Sequence, residues 1–341
     1  MRVEYQLRAA VIGLGVGEKH IAGYQSDQRC HVTMLCDTNQ SKLSEVGSRH
    51  RDCSLTTQPE DILTSPDIDV VSIASYDNYH RDQIVLALQH GKHVFVEKPL
   101  CLFDDELDDI VRNLKINSKL LLSSNLILRK TPRFIELRER LHNDDLGIPY
   151  YWEGDYDYGR LHKITEGWRG QIPFYSVVYG GAIHLLDLIR WLSRSQVKRV
   201  QALGNKLATH DTKFKRHDLV TALLEMEDGS AAKVSANFAS VVPHHHKLSV
   251  YGTKGTFEQS HLGAAYFWER DPQSKPELVS TAYPGTAKGD MLPAFVKAIL
   301  DGTPPEITAQ EVVDVMSISL AIEKSLQTQK PVNVNYQPIN N

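Results

Sequence analysis

Ala9-Ala10-Val11-Ile12-Gly13-Leu14-Gly15-Val16-Gly17 runs a short apolar stretch straight into three alternating glycines. An apolar run closed by a turn signal reads as a strand buried on both faces. Glycines directly after such a strand permit a tight turn and a close approach of backbone to a ligand. The backbone N–H groups that open the next helix suit a pyrophosphate. That helix is predicted from about Glu18 to Ser26. The spacing is G-x-G-x-G, with Glu18 where G-x-G-x-x-G would place its last glycine, so the motif alone is a weak indicator. Its position between a buried strand and a helix gives it weight.

Outward from this turn the same alternation repeats. His31–Cys36 reads as a second strand ending at Asp37, followed by a polar helix from about Gln40 to Ser48. Asp69–Ala74 is a third buried strand. Helix His80–His90 stops at Gly91, which suits a left-handed cap. His93-Val94-Phe95-Val96 is the next strand and Glu97-Lys98-Pro99 closes it. A helix opening at Asp104-Asp105 runs to about Asn117, and Leu120–Leu122 is another strand. Apolar strands alternating with helices predict a parallel sheet covered on both faces.

The pattern changes after helix Pro132–Leu141. Longer, alternating strands are predicted at Tyr150–Tyr158, Arg199–Ala208, Val220–Met226, Ala231–Ala239 and Lys247–Tyr251, with turns at Gly229 and Gly252–Gly255. A helix at Met291–Leu300 and another from Thr308 close the chain, the latter opened by the capping box Thr308-Ala309-Gln310-Glu311. The fold class is therefore α/β. A doubly wound Rossmann domain is expected over residues 1–125, and an α+β domain with a large open, mostly antiparallel sheet over residues 126–341. The solvent side of that sheet is incompletely polar, which predicts that an oligomer hides its open face.

Composition narrows the function. The 341 residues are 41% hydrophobic and 23% charged, with a net charge of −4 and no basic stripe, which argues against nucleic acid as the partner. Cys30, Cys36, Cys53 and Cys101 are scattered, which fits a reducing cytoplasm better than a disulfide framework or a zinc site. Ala9–Leu14 is too short for a signal peptide or a membrane span.

Two residues carry the first chemical signal. Asp37, at the end of the second strand, stands where a carboxylate accepts the ribose hydroxyls of NAD and repels the 2′-phosphate of NADP. No arginine follows it, so NAD is favoured. The plainer reading makes Asp37 a cap for the next helix. Lys98 ends an apolar strand beside a φ-locking proline, an expensive place for a cation without a task.

Several segments resemble the Gfo/Idh/MocA oxidoreductase family, named for glucose–fructose oxidoreductase and inositol dehydrogenase. They are the glycine turn running into His20, Ser75-Tyr76-Asp77-Asn78-Tyr79-His80, and above all Gly91-Lys92-His93-Val94-Phe95-Val96-Glu97-Lys98-Pro99. Gly180-Gly181…His184…Asp187 and Tyr251-Gly252-Thr253-Lys254-Gly255-Thr256 extend the similarity over essentially the whole chain. The resemblance implies a homodimer or homotetramer, and that Lys98 is the active-site lysine, often followed by a cis Lys–Pro bond. It implies cofactor contacts from Gly13, Leu14, Gly15, Val16, Gly17, Asp37, Ser75, Asn78, His80, Glu97, Lys98, Trp168 and Arg169.

The stretch Gly181–Leu192 is apolar on most sides, yet His184, Asp187 and Trp191 share one face. Such a stripe is either a structural polar network or the wall of a site. With the family motif matched, His184 reads as the base that takes a hydroxyl proton while hydride passes to the nicotinamide. Lys98 would hydrogen-bond the same oxygen. Many relatives carry an aspartate where this chain has Gly180. Two roles are open to Asp187, orienting the imidazole or a structural one, and the share of acid–base work between Lys98 and His184 is open with it.

Tyr158, Arg160 and Tyr175, with Trp168-Arg169 between them, suit a sugar-like and anionic substrate, against the plainer reading of a salt-bridged surface loop. His184, Lys98 and Asp187 complete the expected substrate contacts. His244-His245-His246 is not expected to bind metal, because neighbouring strand residues face opposite sides. The expected function is NAD-dependent oxidation of a ring hydroxyl of a sugar, nucleotide sugar or cyclitol. An NAD-using glycosidase and a non-catalytic NAD-binding regulator are the alternatives.

Overall fold

The computed structural model describes residues 6–339. They form two compact units. The first holds the chain up to Ile127, together with Ala287–Met316 and the stretch from Tyr336; the second holds Leu128–Thr286 and Ser317–Asn335.

The first unit is built on strands β1 (Leu7–Ile12), β2 (Cys30–Cys36), β3 (Ser54–Thr56), β4 (Val70–Ile73), β5 (His93–Val96) and β6 (Leu122–Ser124). They lie in the order β3-β2-β1-β4-β5-β6, every neighbouring pair parallel. Each of β1, β4 and β5 is buried along nearly its whole length, which is why these strands read as unbroken apolar runs. The chain winds outward from β1 to β3, then returns to β4 and winds the other way. The carboxyl ends of β1 and β4 therefore flank a switch point, the place where open parallel sheets leave a crevice for ligands.

Local signals hold well in this unit. Gly91 ends helix His80–Gln89 with φ +73°, and Thr308 and Glu311 cap each other reciprocally, each backbone N–H donating to the other side chain at 2.9 and 3.2 Å. Asp104 and Asp105 are the first helical residues; Phe103 is the cap. Strand β6 starts two residues later than expected because the Leu121 N–H donates to His93 Nδ1 at 2.9 Å. Short β3 and helix Pro59–Leu63 had no clear sequence signal.

A division after residue 125 puts all later helices in the second domain. The structure instead packs Ala287–Met316 into the first unit: Phe295 meets Phe95 at 5.7 Å between ring centroids, and Asn125 donates to the Lys288 carbonyl at 3.0 Å. Gly23 has no Cβ, which leaves room for Leu292 to close on it.

The second unit is one nine-stranded sheet. Its strands are β7 (Pro149–Asp157), β8 (Val197–Asn205), β9 (Leu219–Met226), β10 (Ala231–Asn237), β11 (His245–Gly252), β12 (Thr256–Ser260), β13 (Gly263–Phe267), β14 (Glu277–Leu278) and β15 (Val332–Asn333), in the order β14-β13-β12-β11-β7-β10-β9-β8-β15. All pairs are antiparallel except β7 with β10. Strands β12 to β15 have no clear sequence signal; they are short, β14 and β15 only two residues each.

Alternation along β7 puts Trp152, Gly154 and Tyr156 on one face and Tyr151, Glu153 and Asp155 on the other. Helix Ile183–Ser193 lies on the first face. Leu185 and Ile189 sit 3.4–3.5 Å from where a Gly154 side chain would start, so glycine sets how closely helix and strand approach. The opposite face carries Lys233, which reaches Glu153 at 2.7 Å and Asp155 at 2.5 Å, and the ring pair Tyr151–Tyr251. It also exposes Leu203 and Leu223.

Candidate active site

The glycine turn divides its work among three residues. Gly13 has φ +85°, and a Cβ there would overlap the Ala74 carbonyl, so only glycine fits. Gly17 packs helix Glu18–Tyr24 against Gly13 and Val11, the task a later glycine performs in the longer motif. Over Gly15 there is open space. Glu18, at the anomalous position, is held by Arg49 at 2.6 Å and Lys42 at 3.2 Å, and the Arg49 bond leads in lowering its pKa.

Asp37 anchors the glycine turn and is not the cap of the next helix, a place taken by Asn39. Its Oδ2 accepts from the Leu14 N–H and its Oδ1 from the Asn39 N–H, each at 2.8 Å. It thus fastens the end of β2 to the glycine turn, while Asn39 caps the following helix through the Lys42 N–H.

The turn after β4 and the end of β5 are tied together. His80 is fully buried; its Nδ1 donates to the Pro99 carbonyl at 2.6 Å and its Nε2 lies 3.2 Å from the Ser75 carbonyl. Ser75 Oγ donates to Gln83 Oε1 at 2.7 Å. Glu97 is 8% exposed and accepts from Asn125 at 2.7 Å, with His20 Nε2 at 3.4 Å. Burial pushes its carboxyl upward, yet His20, the Lys288 charge and Asn125 together bring it down to about 2. His80 and Glu97 were expected at the cofactor. Here His80 bonds the Pro99 carbonyl and Glu97 accepts from the Asn125 side-chain amide, one on either side of Lys98.

Lys98 itself is half-buried, and its bond to Pro99 is cis. The deeply buried lysine is Lys92, just before β5 and 1% exposed, whose Nζ donates to the carbonyls of Ser65 at 2.5 Å and Ile68 at 3.1 Å. Two accepting carbonyls make that burial tolerable, and desolvation lowers the Lys92 pKa. Two features of this unit test the fit of a dinucleotide. One is the open space over Gly15, where backbone can approach phosphates; the other is Asn78 Oδ1, a buried carbonyl oxygen without a hydrogen-bond partner. A cofactor carrying phosphates and hydroxyl donors fits both.

In the second unit, His184 does not sit in a plain helix. A π turn spans Val178–Ala182, and the α-helix runs Ile183–Ser193, not from Gly181 as expected. His184 is 5% exposed and stacks on Tyr156 at 6.3 Å, with His246 edge-on at 6.1 Å. Tyr156 stacks in turn on Tyr158 at 5.5 Å, and the Arg160 guanidinium lies 5.2 Å over Tyr158. Arg169 lies 4.7 Å over Trp168 and 5.8 Å over Tyr175. Burial pushes the Tyr156 phenol far up; Tyr158 and Tyr175 add to this, while Arg169 and Arg160 oppose it. Two further phenols, Tyr158 and Tyr175, and two guanidiniums, Arg160 and Arg169, thus surround Tyr156, the ring that stacks on the buried imidazole.

Asp187 belongs to a different contact. Its Oδ1 accepts from Arg129 Nη2 at 2.6 Å and its Oδ2 from Nε at 2.9 Å, both side chains at most 2% exposed. Both carboxylate oxygens are engaged by a fork of donors, which favours the structural role over substrate contact. The nearby Trp191 ring has Arg138 at 4.3 Å and Arg129 at 5.9 Å.

The histidine run contributes more than alternation suggested. His245 turns to the far face, 3.7 Å from Asp157. His244 and His246 both flank Tyr156, each with its ring centroid 5.2 Å away, and the Tyr283 hydroxyl lies 2.7 Å from His246 Nδ1. Among the described residues no group of three or more His, Cys, Asp or Glu side chains is arranged to hold a metal. The i, i+2 spacing of His244 and His246 was the available signal that they share a face with Tyr156.

Known proteins place this architecture. The myo-inositol 2-dehydrogenase of Thermotoga maritima is 24% identical over 96% of this chain and 98% of its own length. The scyllo-inositol 2-dehydrogenase (NAD+) of Bacillus subtilis is 25% identical over 74% of each chain. Among solved structures, levoglucosan dehydrogenase in complex with NADH and L-sorbose superposes with a TM-score of 0.85 at 19% identity, covering 97% of this chain and 99% of that one. The family model described as an oxidoreductase family with an NAD-binding Rossmann fold matches residues 7–124, and the GFO/IDH/MocA C-terminal domain model matches residues 134–258. With both models matched across most of its length, the chain belongs to the Gfo/Idh/MocA family of NAD-binding oxidoreductases.

Proposed function

We propose that this enzyme oxidises a secondary ring hydroxyl of a small sugar-like alcohol, a sugar, nucleotide sugar or cyclitol, and that the natural substrate carries negative charge. The observation that carries the reading is the cluster of Tyr158, Tyr175, Arg160 and Arg169 around Tyr156, the ring stacked on His184. Phenols recognise sugar hydroxyls and guanidiniums pair with carboxylate or phosphate. The named activities of the inositol and levoglucosan dehydrogenases support the same substrate class.

His184 takes the hydroxyl proton in this reading, and Lys98 donates a hydrogen bond to the oxygen as it becomes a carbonyl. Bound NAD supplies the hydride acceptor. Gly13 to Gly17 and Asn78 hold the cofactor, Asp37 fixes the turn and selects NAD over NADP, and Trp168 and Arg169 extend the cofactor contacts. His80 and Glu97 keep Lys98 in position.

The exposed Leu203 and Leu223 beside a charged network on the open sheet face support assembly into a dimer or tetramer. All four cysteines are free, which fits a reducing cytoplasm; no helix among the described residues is long and apolar enough to cross a membrane.

The test is a panel of myo-inositol, scyllo-inositol, levoglucosan and glucuronate with NAD, followed at the NADH absorbance. Turnover is expected with at least one of them, and Lys98→Met is expected to lower kcat about 10²–10⁴-fold. Undiminished turnover in Lys98→Met removes Lys98 from the mechanism. Binding of NAD without NADH formation from any panel member sinks the dehydrogenase reading.

A further inference from the structure

The head of the His184 helix is built around two rings that come from elsewhere in the second unit. A Cβ on Gly180 would overlap the Tyr175 hydroxyl, with Tyr175 Cζ at 2.8 Å and Phe238 Cζ at 3.3 Å. A Cβ on Gly181 would overlap the Tyr156 ring. Neither glycine has a positive φ, so the backbone does not itself require glycine at either position. The rings do. The π turn over Val178–Ala182 widens the helix at this point, an irregularity that recurs at functional sites.

Tyr175 is 2% exposed and closely held. Its ring meets Phe238 at 6.1 Å and Trp168 edge-on at 6.2 Å, and the Arg169 guanidinium lies over its face. Its hydroxyl occupies the volume that a side chain at position 180 would fill, roughly one turn before His184. Tyr156, the ring stacked on His184, fills the place beside it. A polar group is therefore delivered to the helix head from position 175, and position 180 is left bare to receive it.

We propose that Tyr175 is a catalytic residue whose phenolic O–H donates a hydrogen bond to the reacting oxygen of the substrate beside His184, and that Gly180 is glycine to admit it. This rests on the dehydrogenase reading above. In the oxidation the substrate C–H bond breaks and its electron pair leaves as hydride to NAD. The O–H proton passes to His184 and the C=O bond forms. Tyr175 keeps its own proton throughout and stabilises charge on that oxygen in both directions.

The experiment uses the panel alcohol with the highest wild-type kcat/KM, and NADH fluorescence to verify that each variant binds cofactor. Tyr175→Phe keeps the ring and is expected to lower kcat about 100-fold with KM changed less than about threefold, the scale for loss of one preorganised donor. Tyr175→Ala should lose at least as much. Adding Gly180→Asp to Tyr175→Ala returns a polar group to the same volume and is expected to regain about tenfold in kcat, a recovery that a purely structural tyrosine would not give.

Tyr175→Phe within about twofold of wild-type kcat, or a loss confined to KM, overturns the proposal. So does a double variant that binds NADH normally without regaining rate. If the double variant does not bind NADH, Tyr175→Phe alone decides. A wild-type enzyme inactive on the whole panel overturns the dehydrogenase reading and this proposal with it; an active wild type beside an unimpaired Tyr175→Phe overturns this proposal alone.

Discussion

Replacing Asp187 by Asn separates the two roles open to that residue. The Arg129–Asp187 pair is bidentate, at 2.6 and 2.9 Å, and neither side chain is more than 2% exposed. Asp187→Asn turns the carboxylate of this buried bidentate pair into a neutral amide, and breaking such a pair costs about 3–5 kcal/mol. For a unit of this size that corresponds to roughly 2–4 °C per kcal/mol, a fall of about 6–20 °C in Tm. Replacing both partners, as Arg129→Met with Asp187→Leu, removes both charges and should bring stability back to about the wild-type value or above it. Thermal unfolding read by tryptophan fluorescence suits the test, because the Trp191 ring is 5.9 Å from Arg129. Turnover measured on the same three proteins, wild type, Asp187→Asn and the double variant, gives the second axis. If Asp187 serves only the fold, the double variant regains kcat along with Tm. A double variant with wild-type Tm and lost kcat would mean that Asp187 also acts on His184. A fall in Tm of less than about 1 °C in Asp187→Asn would refute the account of the pair itself.

Two further predictions concern the first unit. Gly13→Ala places a side chain at φ +85° against the Ala74 carbonyl, whereas Gly15→Ala meets nothing within 4 Å. The first should lower Tm and abolish NADH binding together. The second should leave Tm nearly unchanged and weaken NADH binding about tenfold or more in a fluorescence titration, since its Cβ enters the space kept for phosphates. Glu97 has a folded pKa of about 2 against an ordinary 4.5, so its contribution is present in full above pH 4.5 and disappears as pH falls from there through about 2. Across that window the carboxylate accounts for about 3 kcal/mol. Glu97→Gln should therefore be less stable at pH 7, and its Tm should fall less steeply than wild type between pH 5 and pH 3; parallel curves would refute the linkage.

What could be read from the sequence was what neighbouring residues decide. The glycine turn, the β5 strand, the Gly91 cap and the Thr308–Glu311 box each depend on side chains within a few positions, and the structure contains all of them. Pairings between distant segments had no local signature. Asp187 could be seen to lie on a helix, but its partner Arg129 lies far upstream and no period links the two. Gly180 stood out as a missing side chain, while the phenol that fills its place is visible only in three dimensions. Lys98 drew notice as a cation on a buried strand, although the deeply buried lysine is Lys92, whose accepting carbonyls lie on a preceding loop. His244 and His246 were weighed as metal ligands, and their aromatic neighbours come from distant segments, Tyr156 from β7 and Tyr283 from the loop after β14.

The dinucleotide-binding unit is discontinuous, and this matters for the order in which the protein is made. Phe95, at the centre of β5, is covered by Phe295, and Asn125 finds the Lys288 carbonyl only when the segment after Ala287 is present. A ribosome has therefore synthesised the whole nine-stranded sheet except β15 before the first unit can close. Until then the Phe295 side chain that packs on Phe95 is missing, and this part of β5 stays uncovered. A chain that stops before Ala287 lacks the segment that covers β5, so it lacks part of the unit that holds NAD.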